Sequence, residues 1–192
     1  CLQCRLIVQE CICCDITPFW TEHRLTLLTN KREEHIHSNT GRLLRLMLEN
    51  NSLIYIGKKG WEKKIEEEIA RSEYTPVIFF PITPLSDGHE IVEEKGKPLN
   101  IIVLDTNWSS ARRWLYKLGS MEIKKIGLRT VPPSKYYLRK QPKKENLCTF
   151  QAVTSLLDEL GTENSGPATF HMNEMFALWV KSMAKERGLT FP

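Results

Sequence analysis

The sequence predicts an α/β domain in which a mostly parallel sheet carries helices on both faces. Two short runs, Val77–Phe80 and Ile101–Leu104, are continuously apolar, which is typical of strands buried on both faces of a parallel sheet. Segments in which apolar residues recur at helical spacing alternate with such runs. Because strands that alternate with helices form layered domains, the chain of 192 residues is expected to fold in this way.

The first predicted elements lie between residues 25 and 71. Leu25–Thr29 and Leu53–Ile56 have the composition of strands. Gly41–Glu49 places its leucines and its methionine on one helical face, and Trp61–Arg71 is a charged segment with two isoleucines on one side. These four segments therefore predict two strand–helix units.

Three further helices are predicted towards the carboxyl end. Apolar residues keep helical spacing from Trp108 to Leu118, and Thr106 or Asn107 is available as the amino-terminal cap. Phe150–Leu160 and Phe170–Arg187 show the same spacing, and the methionines and aromatic residues of the latter indicate a core face or a subunit contact.

Cysteines are concentrated at the start of the chain, where five of the six lie within the first fourteen residues. A Cys-x2-Cys pair followed by Cys-x-Cys places four thiolates, Cys1, Cys4, Cys11 and Cys13, at a spacing suited to one tetrahedral zinc ion. Cys14 is a spare or competing ligand. The alternatives are reduced thiols without metal, or disulfides, which the lack of a visible secretory signal disfavours. We expect a zinc knuckle over residues 1–17 and a second, larger domain over residues 18–192.

Charge is distributed unevenly along the chain. Hydrophobic residues at 41% and charged residues at 26% exclude a disordered or fibrous protein. Between Arg112 and Lys144 stand eleven lysines and arginines and one acid, Glu122, so this segment carries +10 whereas the whole chain carries +4. Such asymmetry favours a surface that binds a polyanion over a merely solvated basic face.

Two strand ends are candidates for a ligand site, because ligands of parallel sheets bind at the carboxyl ends of strands. One is Phe80-Pro81 and the other is Asp105, a carboxylate directly after a buried strand and before a helix. Asp105 is therefore a candidate for chemistry, with a helix cap or a surface loop acid as the alternative. No Gly-x-Gly-x-x-Gly, P-loop, His-Glu-x-x-His or Gly-x-Ser-x-Gly motif occurs, which excludes the common dinucleotide, nucleotide, metalloprotease and hydrolase sites.

Several motifs occur in an order that resembles the DTW-domain proteins, and the resemblance covers nearly the whole chain. After the two cysteine pairs come Ser38-Asn39-Thr40-Gly41-Arg42-Leu43, Phe79-Phe80-Pro81, Asp105-x-x-Trp108-x-x-Ala111, Tyr137-Leu138-Arg139 and Leu147-Cys148-Thr149-x-Gln151-Ala152. DTW-domain proteins are tRNA-uridine aminocarboxypropyltransferases, related more distantly to the SPOUT methyltransferases.

The resemblance implies a fold, a reaction and two partners. The fold would be SPOUT-like, with a C-terminal trefoil knot whose loops hold S-adenosylmethionine. The reaction would move the 3-amino-3-carboxypropyl group of that cofactor to N3 of a tRNA uridine and release methylthioadenosine. Because a sulfonium already activates its attached carbons, the reacting centre needs no metal, and the predicted zinc would be structural.

Roles for individual residues also follow from the resemblance. Asp105 would be the general base that accepts the uridine proton, or else the anchor of the cofactor's α-ammonium group. The residues implied in cofactor binding are Thr40, Phe80, Pro81, Leu104, Trp108, Ala111, Leu138, Arg139, Cys148 and Thr149. Those implied in RNA binding, through phosphate contacts and stacking of a base on tyrosine, are Arg112, Arg113, Lys135, Tyr136, Arg139, Lys140, Lys143 and Lys144.

Two other functions remain as alternatives. One is a SPOUT-type RNA methyltransferase, and the other is a catalytically inactive RNA-binding relative, favoured by Asn107 and Gln151, which depart from the family pattern. No run approaches the roughly 20 apolar residues of a membrane-spanning helix. Since no signal peptide is visible either, we expect a cytoplasmic protein without a membrane anchor, and a monomer.

Overall fold

The computed structural model describes residues 1–81, 88–118, 121–139, 146–161 and 165–189. Within these ranges, five strands form one sheet in the order β2-β1-β4-β3-β5, and every neighbouring pair is parallel. The strands are β1 (Arg24–Thr29), β2 (Asn51–Tyr55), β3 (Thr75–Phe79), β4 (Leu99–Asp105) and β5 (Lys124–Ile126). The predicted α/β class with a parallel sheet is therefore confirmed.

In the part of the chain that the structure describes, seven α-helices accompany the sheet. They are α1 (Lys31–His35), α2 (Gly41–Met47), α3 (Trp61–Ile69), α4 (Gly88–Lys95), α5 (Trp108–Leu118), α6 (Thr149–Leu160) and α7 (Ser165–Glu186). A 3-10 turn, Val8–Glu10, lies in the cysteine-rich segment. Within the described ranges, no helix combines the length and the apolar composition that crossing a membrane requires.

The two faces of the sheet carry separate hydrophobic clusters, because successive side chains of a strand point to opposite faces. Ile101 and Val103 of β4 lie in a cluster built with α2, α4, α6 and α7. Ile102 and Leu104 lie in a second cluster, which is built with α3 and α5. All seven residues of β4 are buried. The expectation of helices on both faces is thus confirmed, with β4 at the centre.

Three short elements were not expected from the sequence. β5 has only three residues, of which two are lysines, and α1 has five residues, all of them polar, so neither shows an apolar period. α4 contains only two apolar residues, Ile91 and Val92. α7 begins at Ser165, earlier than the expected Phe170, because Pro167 is compatible with the first turn of a helix.

The strand order creates a switch point between β1 and β4. The chain leaves β1 towards β2 on one side and leaves β4 towards β5 on the other, so a crevice opens between their carboxyl ends. Thr29 and Asp105 end the two strands opposite each other, and the Thr29 hydroxyl donates to the Asp105 carbonyl over 2.9 Å. This pairing fixes the position of Asp105 at the crevice.

The cysteine-rich segment packs on the same core as α2 and α7. Cys4, Leu6 and Ile12 are buried there, and Trp179 of α7 donates its indole N–H to the Cys4 carbonyl over 2.8 Å. At the far end of α7, Glu186 accepts from the Ile7 amide over 2.6 Å. The first residues of the chain are therefore attached directly to the body of the molecule.

Candidate active site

A pocket opens at the carboxyl ends of β3 and β4. Asp105 lines it, together with nine of the ten residues that the resemblance implied in cofactor binding: Thr40, Phe80, Pro81, Leu104, Trp108, Ala111, Arg139, Cys148 and Thr149. These residues come from five separate segments of the chain, and the sheet brings them together. Apart from Asp105, the charged residues of the described lining are Glu33 and Arg139.

Leu138 is the exception among the implied cofactor residues. Its side chain is buried in the core cluster, and its carbonyl accepts a hydrogen bond from Arg187 Nη1 over 3.1 Å. Because both its side chain and its carbonyl are already engaged, the structure places Leu138 behind the pocket wall.

The Asp105 carboxylate is held by groups from two other segments. Oδ2 accepts from Asn39 Nδ2, and Oδ1 accepts from the Thr149 hydroxyl, each over 2.8 Å. Thr149 is the first residue of α6. Asn39 is held in turn by the backbone amide of Arg42, which donates to the side-chain oxygen Oδ1 of Asn39 over 3.2 Å. The carboxylate therefore joins the loop after α1 to the start of α6.

The environment of Asp105 raises the pKa of its carboxyl group. Burial is the largest cause, because it penalises the ionised form, and the hydrogen bonds from Asn39 and Thr149 oppose it. The nearby Glu33 carboxylate raises the same pKa further, whereas Arg139 lowers it. A buried carboxylate with a raised pKa at a pocket is a stronger proton acceptor than an ordinary surface aspartate.

Gly41 permits the close approach of α2 to this carboxylate. A Cβ atom at position 41 would lie 2.4 Å from the Asp105 carboxyl carbon and its Oδ2 atom. No side chain fits in that space, so the glycine of the Thr40-Gly41 pair is explained by the position of Asp105.

A buried ion pair lies on the same pocket. Glu33 is 4% exposed, and its oxygens lie 3.1 and 3.5 Å from Arg139 Nη1 and Nη2. The Asn30 side chain caps α1 by accepting from the Glu33 amide over 2.9 Å, and it also donates to Thr106 over 3.4 Å. Sequence reasoning missed Glu33 as a site residue, although an Asn cap three residues before a Glu is a recognisable start of a helix.

One part of the pocket lining, formed by Phe80, Trp108 and Ala111, is apolar. Phe80 and Trp108 meet edge to face with 5.3 Å between ring centroids, and Ala111 is buried one turn further along α5. Asn107 caps α5 by accepting from the Ser110 amide over 3.0 Å, which confirms one of the two expected caps. The wall is therefore fixed by the start of α5.

Cys148 lies at the cap position of α6 and is buried. Burial raises the pKa of its thiol to about 11, so the thiol is protonated at neutral pH. Its sulfur donates towards Gln151 Oε1 over 3.6 Å, and the Ser134 hydroxyl donates to the same oxygen over 3.2 Å. These properties are those of a packed residue and not of a nucleophile.

Tyr136 does not occupy the exposed position that stacking of an RNA base requires. Its side chain is 4% exposed, and its hydroxyl donates to the Ser38 carbonyl over 2.6 Å. Its ring packs beside Phe176 and Trp179 of α7. Burial also raises the pKa of the phenol. The structure therefore corrects the expected stacking role and makes Tyr136 part of the pocket wall.

The other predicted RNA-binding residues have different surroundings. Arg112, Arg113 and Lys135 are exposed, whereas Arg139 is half-buried in its pair with Glu33. Lys140, Lys143 and Lys144 lie outside the described residues. The described part of the predicted basic surface thus centres on α5 and on the segment before Tyr136.

Four cysteine sulfurs form a cluster at the start of the chain. The sulfurs of Cys1, Cys4, Cys11 and Cys13 all lie within 4.8 Å of one another, with 3.7 Å between the first and the last and 3.8 Å between the middle two. Four sulfurs at about 2.3 Å from a tetrahedral zinc ion would be about 3.8 Å apart. The cluster therefore has the donor set and the spacing to hold a metal ion, and Cys14 is exposed outside it.

Comparison with known proteins places the chain in a family. The model of the DTW domain matches residues 1–184. The chain belongs to the DTW domain family. It is 27% identical over 175 residues to tRNA-uridine aminocarboxypropyltransferase 2 of Macaca fascicularis, and 25% identical over 170 residues to the protein of the same name in Mus musculus.

These relatives are longer than the chain. Each alignment covers 85% of this chain and 57% of the relative. No solved structure matches. The DTW domain of this chain therefore corresponds to somewhat more than half of the curated relatives.

Both departures from the expected DTW pattern have partners in the structure. Asn107 caps α5, and Gln151 is buried and accepts hydrogen bonds from Ser134 and Cys148. Each therefore has a structural role of its own, and Asp105 keeps its two hydrogen bonds beside them.

Proposed function

We propose that the chain is an S-adenosylmethionine-dependent tRNA-uridine aminocarboxypropyltransferase. The observation that carries the proposal is Asp105, a buried carboxylate with a raised pKa at the crevice between β1 and β4, beside a pocket with an apolar wall. The name of the DTW relatives supports the reaction class. At a sequence identity of about a quarter, the relatives support the same type of reaction in this chain more strongly than they support modification of the same tRNA position.

The lining of the pocket fits the proposed cofactor. Phe80, Trp108 and Ala111 offer an apolar wall for its adenosine and methyl groups, and the lining also contains two carboxylates that can pair with its positive charges. When bound, the cofactor supplies a three-carbon chain that is activated by the sulfonium.

Asp105 performs the proton transfer in this proposal. The N3–H of uridine gives its proton to the Asp105 carboxylate, and the N3 electron pair forms the new bond to carbon. The bond from that carbon to sulfur breaks, its electrons stay on sulfur, and neutral methylthioadenosine leaves. Asn39 and Thr149 keep the carboxylate oriented, since each donates to one of its oxygens.

The SPOUT-like knot is also part of the proposal. The described part of the connection from β5 to α6 lies beside α1 and the loop after it, because Tyr136 bonds to Ser38 and Arg139 to Glu33. α6 then begins at Thr149, whose hydroxyl donates to the Asp105 carboxylate at the end of β4. A connection that returns between these segments is consistent with a trefoil knot that encloses the cofactor.

The cysteine cluster supports a structural zinc site, with Cys1, Cys4, Cys11 and Cys13 as ligands. Four thiolates leave no open position on a tetrahedral ion, which is typical of structural rather than catalytic zinc. We propose the cytoplasm as the compartment, because it keeps thiols reduced and available to a metal. We also propose that residues 1–17 form the zinc unit of a monomer whose catalytic domain spans residues 18–192.

One incubation tests the proposed reaction. The chain is mixed with bulk tRNA and with S-adenosylmethionine labelled either in the methyl group or in the aminocarboxypropyl group, and the digested nucleosides are analysed by mass spectrometry. We expect label in uridine only from the aminocarboxypropyl group, together with methylthioadenosine. Label from the methyl group, with S-adenosylhomocysteine, would indicate a methyltransferase. Cofactor binding without transfer of either label to any tRNA would indicate an inactive relative.

A further inference from the structure

We propose that Glu33 and Arg139 form the recognition site for the amino-acid end of the cofactor, with Glu33 binding the α-ammonium group and Arg139 the α-carboxylate. This inference rests on the proposed function and deepens it. The ligand class is an α-amino acid attached to a thionucleoside, and the recognition is by one carboxylate and one guanidinium at the same pocket.

Burial of Glu33 requires an explanation. Its side chain is 5% exposed, and a buried carboxylate is costly unless a positive group compensates it. Arg139 provides one such group over 3.1 Å, and the Asn30 cap fixes the start of the helix that carries the carboxylate. The carboxylate nevertheless lines the pocket, so a positive ligand group can approach it there.

Arg139 is the more accessible partner of the pair. Its side chain is 32% exposed, and only two of the five N–H donors of a guanidinium are needed for its two contacts with Glu33. The remaining donors are suited to a second carboxylate, because a guanidinium binds carboxylates in a planar, paired geometry. The pair therefore presents both halves of a zwitterion-binding site.

The charges of the pocket match those of the proposed cofactor. S-adenosylmethionine carries two positive groups, the sulfonium and the ammonium, and one negative carboxylate. In the described lining of the pocket, the charged residues are two acids, Glu33 and Asp105, and one base, Arg139. The product methylthioadenosine carries none of these charges, so the same arrangement favours its release after transfer.

This assignment separates the roles of the two acids. Both oxygens of Asp105 already accept hydrogen bonds, one from Asn39 and one from Thr149. These bonds hold the carboxylate at the crevice, where the uridine would approach. Glu33 lies on the side of Arg139, where the amino-acid end would be bound. The ammonium group thus belongs to Glu33, and Asp105 remains available to the uridine proton.

Calorimetric titration of the chain with three ligands tests the proposal. S-adenosylmethionine and S-adenosylhomocysteine contain the amino-acid end, whereas methylthioadenosine lacks it. Glu33→Gln is the test variant, because the amide keeps the shape and an acceptor for Arg139 but loses the charge. We expect the first two ligands to bind about 10- to 100-fold more weakly to Glu33→Gln, while methylthioadenosine binds as to the unmodified chain.

Glu34→Gln is the matched control on the same helix. Glu34 bonds to Tyr55 and lies 3.8 Å from Arg45, and it does not belong to the described lining of the pocket. Its variant should leave all three affinities unchanged. A second test variant, Glu33→Gln with Arg139→Gln, removes both charges at once, so that neither is left buried without its partner.

The possible outcomes separate this inference from the proposed function. Equal weakening of all three ligands by Glu33→Gln would assign Glu33 a structural role only and overturn the inference, while the cofactor assignment would stand. Unchanged affinities in both test variants would overturn it as well. Failure of the unmodified chain to bind any of the three ligands would overturn the proposed function, and this inference with it.

Discussion

The Asp105 carboxylate has one orientation because Asn39, Thr149 and the absence of a side chain at Gly41 leave it no other. Asp105→Asn keeps the size of this group and removes its ability to take a proton. The Thr149 hydroxyl can accept from the new amide, so the local packing survives. We expect the rate of transfer to fall by about 100-fold or more, with the affinity for S-adenosylhomocysteine unchanged, as measured by nucleoside analysis and calorimetry.

The same variant has a stability signature. Burial raises the pKa of Asp105 in the folded protein above its value in the unfolded chain, so the folded state binds more protons between these two values. The ionised carboxylate therefore costs stability at neutral pH, and the cost disappears below the unfolded pKa, where both states are protonated. Asp105→Asn should raise the melting temperature at pH 7.5 and lose this advantage near pH 3.5.

A melting temperature that responds to Asp105→Asn equally at both pH values would contradict the raised pKa. Thr26→Val is a suitable control, since Thr26 is a buried residue of β1 whose hydroxyl bonds to Asn100 and Ser52, neither of which titrates, and it is not part of the described pocket lining. Its effect on stability should not follow the titration of Asp105.

At the scale of single residues, the sequence indicated the site residues that come directly after a strand. Asp105 was predictable because a carboxylate after a run such as Ile101–Leu104 must lie at the carboxyl edge of the sheet. Glu33 was not, because its role depends on Arg139, which is 106 positions away along the chain. Tyr136 looked exposed within a basic segment, and its burial against α7 depends on the path of the β5–α6 connection.

The helix α2 links the cysteine cluster to the candidate active site. Arg42 donates from Nη1 over 3.4 Å to the carbonyl of Gln3, which lies between Cys1 and Cys4 in the sequence. The Arg42 amide donates to Asn39, which in turn donates to Asp105. Arg42 also bonds to the Glu34 carbonyl of α1. A short series of contacts therefore connects the cysteine-rich segment to the Asp105 carboxylate.

Metal removal should consequently affect both stability and cofactor binding. We expect one zinc ion per chain in elemental analysis, and we expect Cys4→Ser to lose it. Because binding of a structural metal contributes several kcal/mol to folding, the melting temperature should fall by about 10 °C or more. The affinity for S-adenosylhomocysteine should fall with it, since α2 loses its contact with the Gln3 carbonyl.

Cys14→Ser is the matched control for the metal site. Cys14 is exposed and its sulfur lies outside the cluster, so this variant should keep its zinc, its melting temperature and its affinity for ligand. Equal behaviour of Cys4→Ser and Cys14→Ser would show that the cluster holds no structural metal.

At the scale of elements, the long segments were predictable and the short ones were not. The core strands and the helices α2, α3, α5 and α6 have clear apolar periods, so their ends differ from expectation by only a few residues. β5 is a strand only because β3 offers it a pairing edge, and α1 is held by the Asn30 cap and by the burial of Glu33. Such elements depend on tertiary contacts that periodicity does not reveal.

For the whole molecule, the uneven charge predicts the side from which RNA approaches. α5 begins with Trp108 in the pocket wall and carries Arg112 and Arg113, which are exposed, one turn further along. Lys95 and Lys97 are equally exposed but precede β4, at the amino edge of the sheet. The two pairs thus offer the same charge at opposite edges of the strands.

Reversal of these two pairs tests the approach of tRNA. We expect Arg112→Glu with Arg113→Glu to weaken tRNA binding and to reduce the slope of log affinity against log salt by about 2, because each lost phosphate contact removes about one unit. Reversal of Lys140, Lys143 and Lys144, which lie outside the described residues, should have an effect of the same kind. Lys95→Glu with Lys97→Glu changes the net charge as much as the first pair does, and it should leave the slope unchanged. An equal loss from both pairs would mean that only the overall charge matters, and that the carboxyl edge of the sheet is not the RNA-binding side.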